Sequence, residues 1–239
     1  MGKDRWKVER EKIIAIEDEP DLLEVVRYNL TREGYDVLCA EDGKAGLSLI
    51  ERSRPDLILL DLMLPEMDGL EICRRVKYDP QTRNIPVIIV SAKGEEADVV
   101  LGLEMGADDY MAKPFSPREL VARVKAVLRR GSVKESTDSD GRVALDGLVI
   151  DPSRHEVLVE AAAIEFTATE FRLLYHLAAH PGRVFTREQL LRHAVGDDVV
   201  ILERNIDVHV RSIRKKLGDH ADRISTIRGV GYRFLDPRP

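Results

Sequence analysis

Charged and hydroxyl side chains follow or end four short apolar segments in the first half of this 239-residue sequence. Glu17 and Asp18 follow the first segment, Asp61 follows the third, Ser91 ends the fourth and Lys113 follows the fifth. Carboxylates that lie close together repel each other unless a cation neutralises them. Oxygen ligands with room for water favour Mg²⁺ over zinc. We therefore expect a magnesium site where the fold brings these segment ends together.

The same residues suit the transfer of a phosphoryl group. Asp61 carries a short carboxylate that can act as a nucleophile toward phosphorus. Such a site must balance charge on three equatorial oxygens, and Mg²⁺, Lys113 and Ser91 would each meet one of them. Any one of the acidic residues, taken alone, is better explained as a solvated loop carboxylate. Their arrangement at ordered segment ends, with a proline directly after Lys113, favours a functional site.

The apolar segments and the stretches between them predict a parallel α/β domain. The predicted strands cover residues 13–16, 36–39, 57–60, 87–90 and 109–111. Four of them are mainly aliphatic, which is typical of parallel strands covered by helices on both faces. Alternation with five helical stretches predicts a flavodoxin-like, doubly wound five-stranded sheet. In open sheets of this kind, ligands bind beyond the carboxyl ends of the strands, where the acidic residues are expected to meet.

A polar linker predicts a second domain. Residues 131–142 are mostly small and polar, so they are expected to join a domain at 12–130, preceded by a charged tail at 1–11, to a domain at 143–236. In the second domain, short strands with turn signals over 143–159 precede three helical segments. A final strand pair at 223–234 turns at Gly229 and Gly231. This order predicts an α+β winged-helix domain.

Composition narrows the class of protein. The net charge is −6, yet basic side chains are concentrated at residues 203–218, and charge acts on nucleic acid through the face that meets the phosphates. The apolar runs are too short to cross a bilayer, and the first dozen residues lack the apolar core of a signal peptide. Cys39 and Cys73 are expected to be reduced core thiols. We expect a cytoplasmic protein without a membrane partner.

Four strings in the first domain resemble the receiver domain of response regulators in order and spacing: IIAIEDEPDL, LILLDLMLPEMDGLE, PVIIVSA and GADDYMAKPFSPREL. The resemblance implies that Asp61 is the phosphoacceptor and that a sensor histidine kinase supplies the phosphoryl group. It also implies that Mg²⁺ is bound by Asp18, Asp61 and the backbone carbonyl of Met63, with Glu17 acting through water. The peptide bond after Lys113 resembles the family's cis bond.

The resemblance further implies a switch at Tyr110, which by itself would be an ordinary half-buried strand tyrosine. In the family, the hydroxyl at Ser91 moves toward phosphate and this ring turns inward, which couples phosphorylation to the face of helix four, strand five and helix five. We expect that face to form a homodimer on phosphorylation. The expected interface residues are Glu104, Asp108, Asp109, Glu119, Arg123 and Lys125. Val99 stands where close relatives carry a basic residue facing Glu119, so that ion pair is expected to be missing.

The segment at 204–217 is amphipathic, and alone it would be explained equally well as a solvated charged helix. The strings FTATEFRLLYHLAAHPGRVFTREQLL, RNIDVHVRSIRKKL and STIRGVGYRF, however, resemble the winged-helix domain of the OmpR/PhoB family. The resemblance makes this segment the recognition helix in the major groove of promoter DNA, with a wing at the end of the domain. The implied DNA-contacting residues are Arg204, Arg211, Arg214, Lys215, Thr226 and Arg228.

Two departures from close relatives stand out in this domain. Ser212 replaces a second arginine of the recognition helix, and Val195 replaces a tryptophan that many relatives carry in the core. The loop at 196–202 corresponds to one that contacts RNA polymerase in relatives, although an ordinary packed loop explains it as well. The family resemblance also implies a direct-repeat operator with a spacing of about 11 base pairs.

We therefore predict a two-component response regulator that binds DNA when phosphorylated. The string DPQTRNIPVIIVSAKGEEAD resembles phosphate-responsive members. An Asp-dependent phosphatase or phosphotransferase is the alternative from another class, but dehalogenase-like enzymes usually need a second acid where this chain has Met63. A third alternative, a phosphate-independent regulator with a vestigial pocket, conflicts with the complete residue set. Beyond its own phosphorylation and dephosphorylation, we expect no enzymatic activity.

Overall fold

The computed structural model describes residues 10–93, 95–129, 141–195 and 204–235. The predicted tail and linker lie mostly outside the described residues, as does the loop at 196–202 with its expected polymerase contact. The predicted domain boundaries therefore stay predictions. Within the described ranges, no helix has the length and apolar character needed to cross a membrane.

The first domain is a five-stranded parallel sheet in the order β2-β1-β3-β4-β5, which confirms the flavodoxin-like prediction. Its strands are β1 (Lys12–Ile16), β2 (Asp36–Ala40), β3 (Leu57–Leu60), β4 (Val87–Ser91) and β5 (Asp109–Ala112). Its helices are α1 (Pro20–Arg32), α2 (Gly43–Ser53), α3 (Gly69–Tyr78), α4 (Glu96–Glu104) and α5 (Pro117–Arg129). The aliphatic residues of β1, β3 and β4 are buried on both faces of the sheet, as parallel strands require.

The second domain combines two antiparallel sheets with three helices, as a winged helix does. A four-stranded sheet comprises β6 (Val143–Leu145), β7 (Leu148–Asp151), β8 (Glu156–Val159) and β9 (Ala162–Ile164). The helices are α6 (Ala168–Ala178), α7 (Arg187–Val195) and α8 (Arg204–Leu217). The wing is formed by β11 (Ile224–Ile227) and β12 (Gly231–Phe234), and β10 (Val184–Thr186) pairs with β12.

Two three-residue strands of this domain, β9 and β10, were not predicted from the sequence. The turn that leads into β9 is made by Glu160 and Ala161, whose φ angles are 49° and 65°. Left-handed backbone in a hairpin turn normally calls for glycine, asparagine or aspartate. Neither residue supplies that signal, so the sequence pattern predicts no hairpin there. Strand β10 is defined only by its pairing with β12, far away in sequence.

Candidate functional site

The sheet brings the predicted pocket residues together at its carboxyl edge. Ile16 of β1 pairs in register with Leu60 of β3, so the residues that follow both strands emerge side by side. Ligand oxygens of Glu17, Asp18 and Asp61 lie within 4.8 Å of one another. Glu17 and Asp61 are buried, whereas Asp18 is exposed. The arrangement is an acidic pocket with one open side, which could hold a metal ion.

Lys113 closes the other side of the acidic pocket. Its Nζ lies 2.6 Å from Asp61 Oδ2 and 2.7 Å from Glu17 Oε1. The peptide bond after Lys113 is cis, as the family resemblance implied. Nζ also lies 3.2 Å from Oε1 of Glu19, a fourth carboxylate that the sequence analysis did not single out. Its signal was available, because Glu19 stands only two residues after Glu17.

Burial and charge set the protonation of the pocket. Burial raises the pKa of Glu17 to about 7; the hydrogen bond from Lys113 opposes this shift, and the nearby charge of Asp61 adds to it. For Lys113, burial favours the neutral form, but the hydrogen bonds and charges of Asp61 and Glu17 outweigh it and raise its pKa above the ordinary lysine value. The lysine therefore stays charged at neutral pH.

Asp61 is held by the backbone on its other side. Its Oδ1 accepts a hydrogen bond of 2.9 Å from the N–H of Met63. The loop after it passes so close to α3 that a Cβ on Gly69 would lie 2.2 Å from the carbonyl oxygen of Asp61. Only glycine allows this approach. Sequence alone does not reveal this role of Gly69, because the close contact depends on the tertiary fold.

Ser91 and Tyr110 lie between the acidic pocket and α4. Ser91 is fully buried, and Lys113 N donates a 2.8 Å hydrogen bond to its carbonyl oxygen. Tyr110 is also buried, and its hydroxyl donates to the backbone carbonyl of Lys93. A Cβ on Gly102 of α4 would lie 3.1 Å from the Tyr110 ring, so the ring packs directly under that helix. A movement at Ser91 or Lys93 therefore has a packed route to α4.

The six predicted dimer residues divide into two groups in the structure. Glu119 and Arg123 form an ion pair within α5, and Arg123 also binds the buried Asp109 at 2.8 Å. Lys125 binds Glu33, the residue directly after α1. The Glu119–Arg123 pair uses the carboxylate that, in relatives, would meet the residue at the Val99 position. Glu104 and Asp108, in contrast, face the second domain.

Asp108 is completely buried between the two domains. Its Oδ2 accepts hydrogen bonds from Lys77 Nζ at 2.7 Å and Val87 N at 2.9 Å, and its Oδ1 accepts one from Thr169 Oγ1 at 2.6 Å. Burial alone would raise the pKa of Asp108, but the charges of Lys77 and Arg172 and these hydrogen bonds lower it well below the ordinary value. The group is therefore a buried carboxylate anion.

The predicted DNA-contacting residues lie on α8 and the wing, and they differ in exposure and in their contacts within the protein. The side chains of Arg211 and Lys215 are exposed, as are Thr226 and Arg228 on the wing. Arg214 instead binds the wing: its Nη2 lies 2.6 Å from the carbonyl oxygen of Ile224 and 2.7 Å from Thr226 Oγ1. Arg214 thus holds the wing against α8. The side chain of Arg204 lies outside the described residues.

Ser212, the departure from an expected arginine, has a partner inside the domain. Its hydroxyl donates to Glu170 Oε1, and Lys216 Nζ lies 2.6 Å from Glu170 Oε2. Glu170 is also part of the capping box that starts α6. The serine therefore joins α8 to the start of α6.

Comparisons with known proteins agree with this geometry. A model described as "Response regulator receiver domain" matches residues 13–125, and one described as "Transcriptional regulatory protein, C terminal" matches residues 161–234. The chain is 44% identical over 225 residues to the phosphate regulon transcriptional regulatory protein PhoB of Escherichia coli (strain K12), covering 93% of this chain and 97% of that protein. It is 42% identical over 236 residues to the alkaline phosphatase synthesis transcriptional regulatory protein PhoP of Bacillus subtilis (strain 168), covering 95% and 98%. A solved structure of a RitR mutant has a TM-score of 0.73 at 28% identity, covering 95% and 99%.

A receiver sheet with an acidic pocket, followed by a winged helix with a basic helix, defines the class of DNA-binding response regulators. The chain belongs to the OmpR/PhoB family of two-component response regulators.

Proposed function

We propose that phosphorylation of Asp61 by a sensor histidine kinase controls DNA binding by this protein in the cytoplasm. The observation that carries the proposal is the position of Asp61: a buried carboxylate with Lys113 Nζ 2.6 Å from one oxygen and the Met63 N–H 2.9 Å from the other. A nucleophile needs a fixed direction and a nearby positive charge to meet an incoming phosphoryl group. Both are present at Asp61.

The donor set of the pocket fits Mg²⁺. Its ligands are oxygens only, they lie within 4.8 Å of one another, and the exposed Asp18 leaves room for water. Asp18, Asp61 and the carbonyl of Met63 would hold the ion directly, with Glu17 acting through water. When bound, Mg²⁺ would neutralise phosphoryl oxygens beside Asp61.

The chain's own residues then account for the transfer. An oxygen of Asp61 forms the new bond to phosphorus while the bond between phosphorus and the donor's nitrogen breaks, and the leaving nitrogen takes a proton. Lys113 neutralises one phosphoryl oxygen, and Ser91 Oγ donates to another. Ser91 Oγ accepts a 3.4 Å hydrogen bond from Lys93 N, which a movement of Ser91 toward the phosphoryl group would lengthen further. Lys93 O is also the acceptor of the Tyr110 hydroxyl, so the change at Ser91 reaches the tyrosine.

The second domain supplies the output. Helix α8, through Arg211 and Lys215, would enter the major groove, while Thr226 and Arg228 of the wing contact the neighbouring backbone. We propose a homodimer through the face of α4, β5 and α5 on direct-repeat promoter DNA, with RNA polymerase as a further partner. The names of the PhoB and PhoP relatives, which cite the phosphate regulon and alkaline phosphatase synthesis, support a phosphate-responsive regulator.

The enzyme alternative has less support. We propose that the chain acts on no outside metabolite, because the position for a second catalytic acid holds Met63, whose side chain is 54% exposed and cannot transfer protons. The vestigial-pocket alternative conflicts with the hydrogen bonds that hold Asp61 in place.

Incubation with acetyl phosphate, with and without Mg²⁺, tests the proposed site. Intact-mass spectrometry should show one added phosphoryl group on the natural protein only when Mg²⁺ is present. Asp61→Asn should show none, whereas the exposed control Asp36→Asn should behave like the natural protein. Phosphorylation of Asp61→Asn to the same extent would place the acceptor elsewhere and overturn the proposal.

A further inference from the structure

A cavity of about 360 Å³ lies at the amino edge of the receiver sheet, opposite to the edge that holds the acidic pocket. Its walls are formed by the segments that precede β1, β3 and β4, by the end of α5 and by the first turns of α6. A volume of this size is typical of sites that hold small molecules. The charges on its walls indicate what kind of molecule would fit.

The wall formed by α6 carries a cation that is incompletely neutralised. Arg172 Nη2 donates to Thr169 Oγ1 at 3.1 Å and lies 3.9 Å from Asp108 Oδ1. Asp108 already pairs with Lys77 at 2.7 Å, so two cations share one carboxylate. Arg172 Nε is buried and has no hydrogen-bond partner in the part of the chain that the structure describes. Because the side chain is still 25% exposed, an anionic group in the cavity could reach the guanidinium and stabilise it.

The walls formed by the receiver carry the opposite charge. Glu11 precedes β1, and Asp56 precedes β3, where its Oδ2 accepts a 2.7 Å hydrogen bond from the backbone N–H of Lys12. Neither carboxylate forms an ion pair with a described residue. Burial and the charge of Asp56 raise the pKa of Glu11, so the two acids lie close enough to repel each other. A positive group between them would remove that repulsion.

Apolar side chains line the space between the charged walls. Val127 and Leu128 of α5 are buried there, as is Pro55. A simple anion would bind the arginine but would be repelled by the two carboxylates, and a simple cation would meet the reverse. A molecule with one negative end, one positive end and a short apolar chain between them is complementary to all the walls.

We propose that this cavity binds a small zwitterion. The carboxylate of the ligand lies against Arg172, and its ammonium group lies against Glu11 and Asp56, while its aliphatic chain packs on the apolar side chains between them. The cavity and Asp61 lie at opposite edges of the sheet, so the ligand touches no residue of the acidic pocket. The site gives the protein a second chemical input, and the inference does not rest on the proposed phosphorylation.

Titration calorimetry with the unphosphorylated full-length protein tests the site. The probes are three ω-amino carboxylates of increasing length, β-alanine, γ-aminobutyrate and ε-aminocaproate. Each is compared with the matched carboxylate that lacks the ammonium group, which is propionate, butyrate or caproate. We expect saturable binding of at least one ω-amino carboxylate, about tenfold tighter than that of its matched carboxylate, because a hydrogen bond to a charged group contributes about that factor.

Two variants assign the ends of the ligand. Arg172→Met removes the cation and should weaken binding of the ω-amino carboxylate by about tenfold. Glu11→Gln should weaken the same probe by about twofold to fivefold, because Glu11 is largely exposed. The same variant should tighten binding of the matched carboxylate, because it removes a repulsive charge. The exposed control Glu51→Gln, on α2, should change neither affinity.

The opposite effects expected of Glu11→Gln on the two probes separate a binding contact from a damaged fold, since partial unfolding would weaken both. A lack of saturable binding by all three ω-amino carboxylates would overturn the proposal. Unchanged affinity in Arg172→Met would place the ligand elsewhere and overturn it too. A matched carboxylate that binds the natural protein as tightly as its ω-amino counterpart would show that the acidic wall takes no part, which is equally incompatible with a zwitterion site.

Discussion

Two lysine–aspartate pairs lie at opposite edges of the receiver sheet and differ in their surroundings. At the carboxyl edge, Lys113 Nζ lies 2.6 Å from Asp61 Oδ2; at the other edge, Lys77 Nζ lies 2.7 Å from Asp108 Oδ2. The lysine side chain is 12% exposed in the first pair and 1% exposed in the second. Since the distances are nearly equal, the ion pair itself does not decide what each site does.

The two sites differ in the balance between carboxylates and cations. The acidic pocket contains four carboxylates, the three of the acidic cluster and Glu19, around one lysine. Asp108, in contrast, lies between two cations, Lys77 and Arg172. An excess of anions with access to solvent is neutralised by an ion that binds and leaves. A carboxylate enclosed by protein cations is neutralised permanently, so it serves as a joint between domains.

The largest expected effect on stability comes from breaking the buried pair of Lys77 and Asp108. Asp108→Asn leaves Lys77 buried without an anion, so we expect the free energy of unfolding of the full chain to fall by about 3–5 kcal/mol. Urea unfolding followed by circular dichroism measures it. The exposed control Asp36→Asn should change it by no more than about 0.5 kcal/mol. A loss as small as the control's would show that the buried pair contributes little.

The sequence predicted the acidic pocket around Asp61 much better than the buried pair of Lys77 and Asp108. Glu17, Asp61 and Lys113 each follow a strand, and parallel strands end at one edge, so their meeting follows from the topology. Asp108 also stands at a strand end, but its partners Lys77 and Thr169 are 31 and 61 residues away in sequence. No periodicity relates such positions. The family resemblance placed Asp108 at a dimer face, and its contact with the second domain is visible only in the structure.

In the winged-helix domain, too, the sequence predicted contacts within one element but not contacts between elements. The amphipathic pattern of α8 predicted its buried stripe correctly, because that stripe repeats within one helix. The pattern could not show that Val208 is covered by the receiver or that Arg214 binds the wing. Both contacts join separate elements, and their partners are set by how those elements pack.

The second-largest effect is expected at the pair of Lys113 and Asp61. Lys113→Met removes the lysine that binds Asp61 and Glu17, so the metal-free protein should lose about 1–3 kcal/mol of stability, less than a fully buried pair would. Mg²⁺ should then raise the melting temperature of the variant more than that of the natural protein, because the ion replaces the lost cation. Thermal unfolding with and without Mg²⁺ measures both. The exposed control Lys44→Met should match the natural protein, and equal Mg²⁺ shifts in Lys113→Met and the natural protein would contradict the prediction.

A pH titration sharpens the description of the enclosed pair. The pKa of Asp108 is lowered in the folded protein, so its contribution to stability is complete above the ordinary aspartate pKa of about 3.9 and decreases as pH falls below it. The stability difference between the natural protein and Asp108→Asn should therefore be constant above that value. Below it, the difference should shrink by up to about 1.4 kcal/mol per pH unit. A difference that already shrinks near neutral pH would mean that Asp108 is not held as an anion.

The smallest effect concerns the rim of the domain contact, where Arg83 of the receiver binds Glu165 of the winged helix. The pair is partly exposed, with side-chain exposures of 32% and 61%, so each single reversal should weaken the domain contact only modestly. In the unphosphorylated protein, Arg83→Glu and Glu165→Arg should each tighten binding to a fluorescent random-sequence duplex by about twofold to fivefold, because a looser domain contact leaves α8 more accessible.

These two reversals change the net charge in opposite directions, so a general electrostatic effect on DNA binding would move their affinities apart. A shared interface moves them together, and the double reversal, which rebuilds the pair with its signs exchanged, should return the affinity to that of the natural protein. Fluorescence anisotropy at fixed salt measures all four proteins, with Arg52→Glu on α2 as a control far from the second domain. A double variant that binds the duplex as tightly as the single ones would show that the rim pair does not hold the domains together.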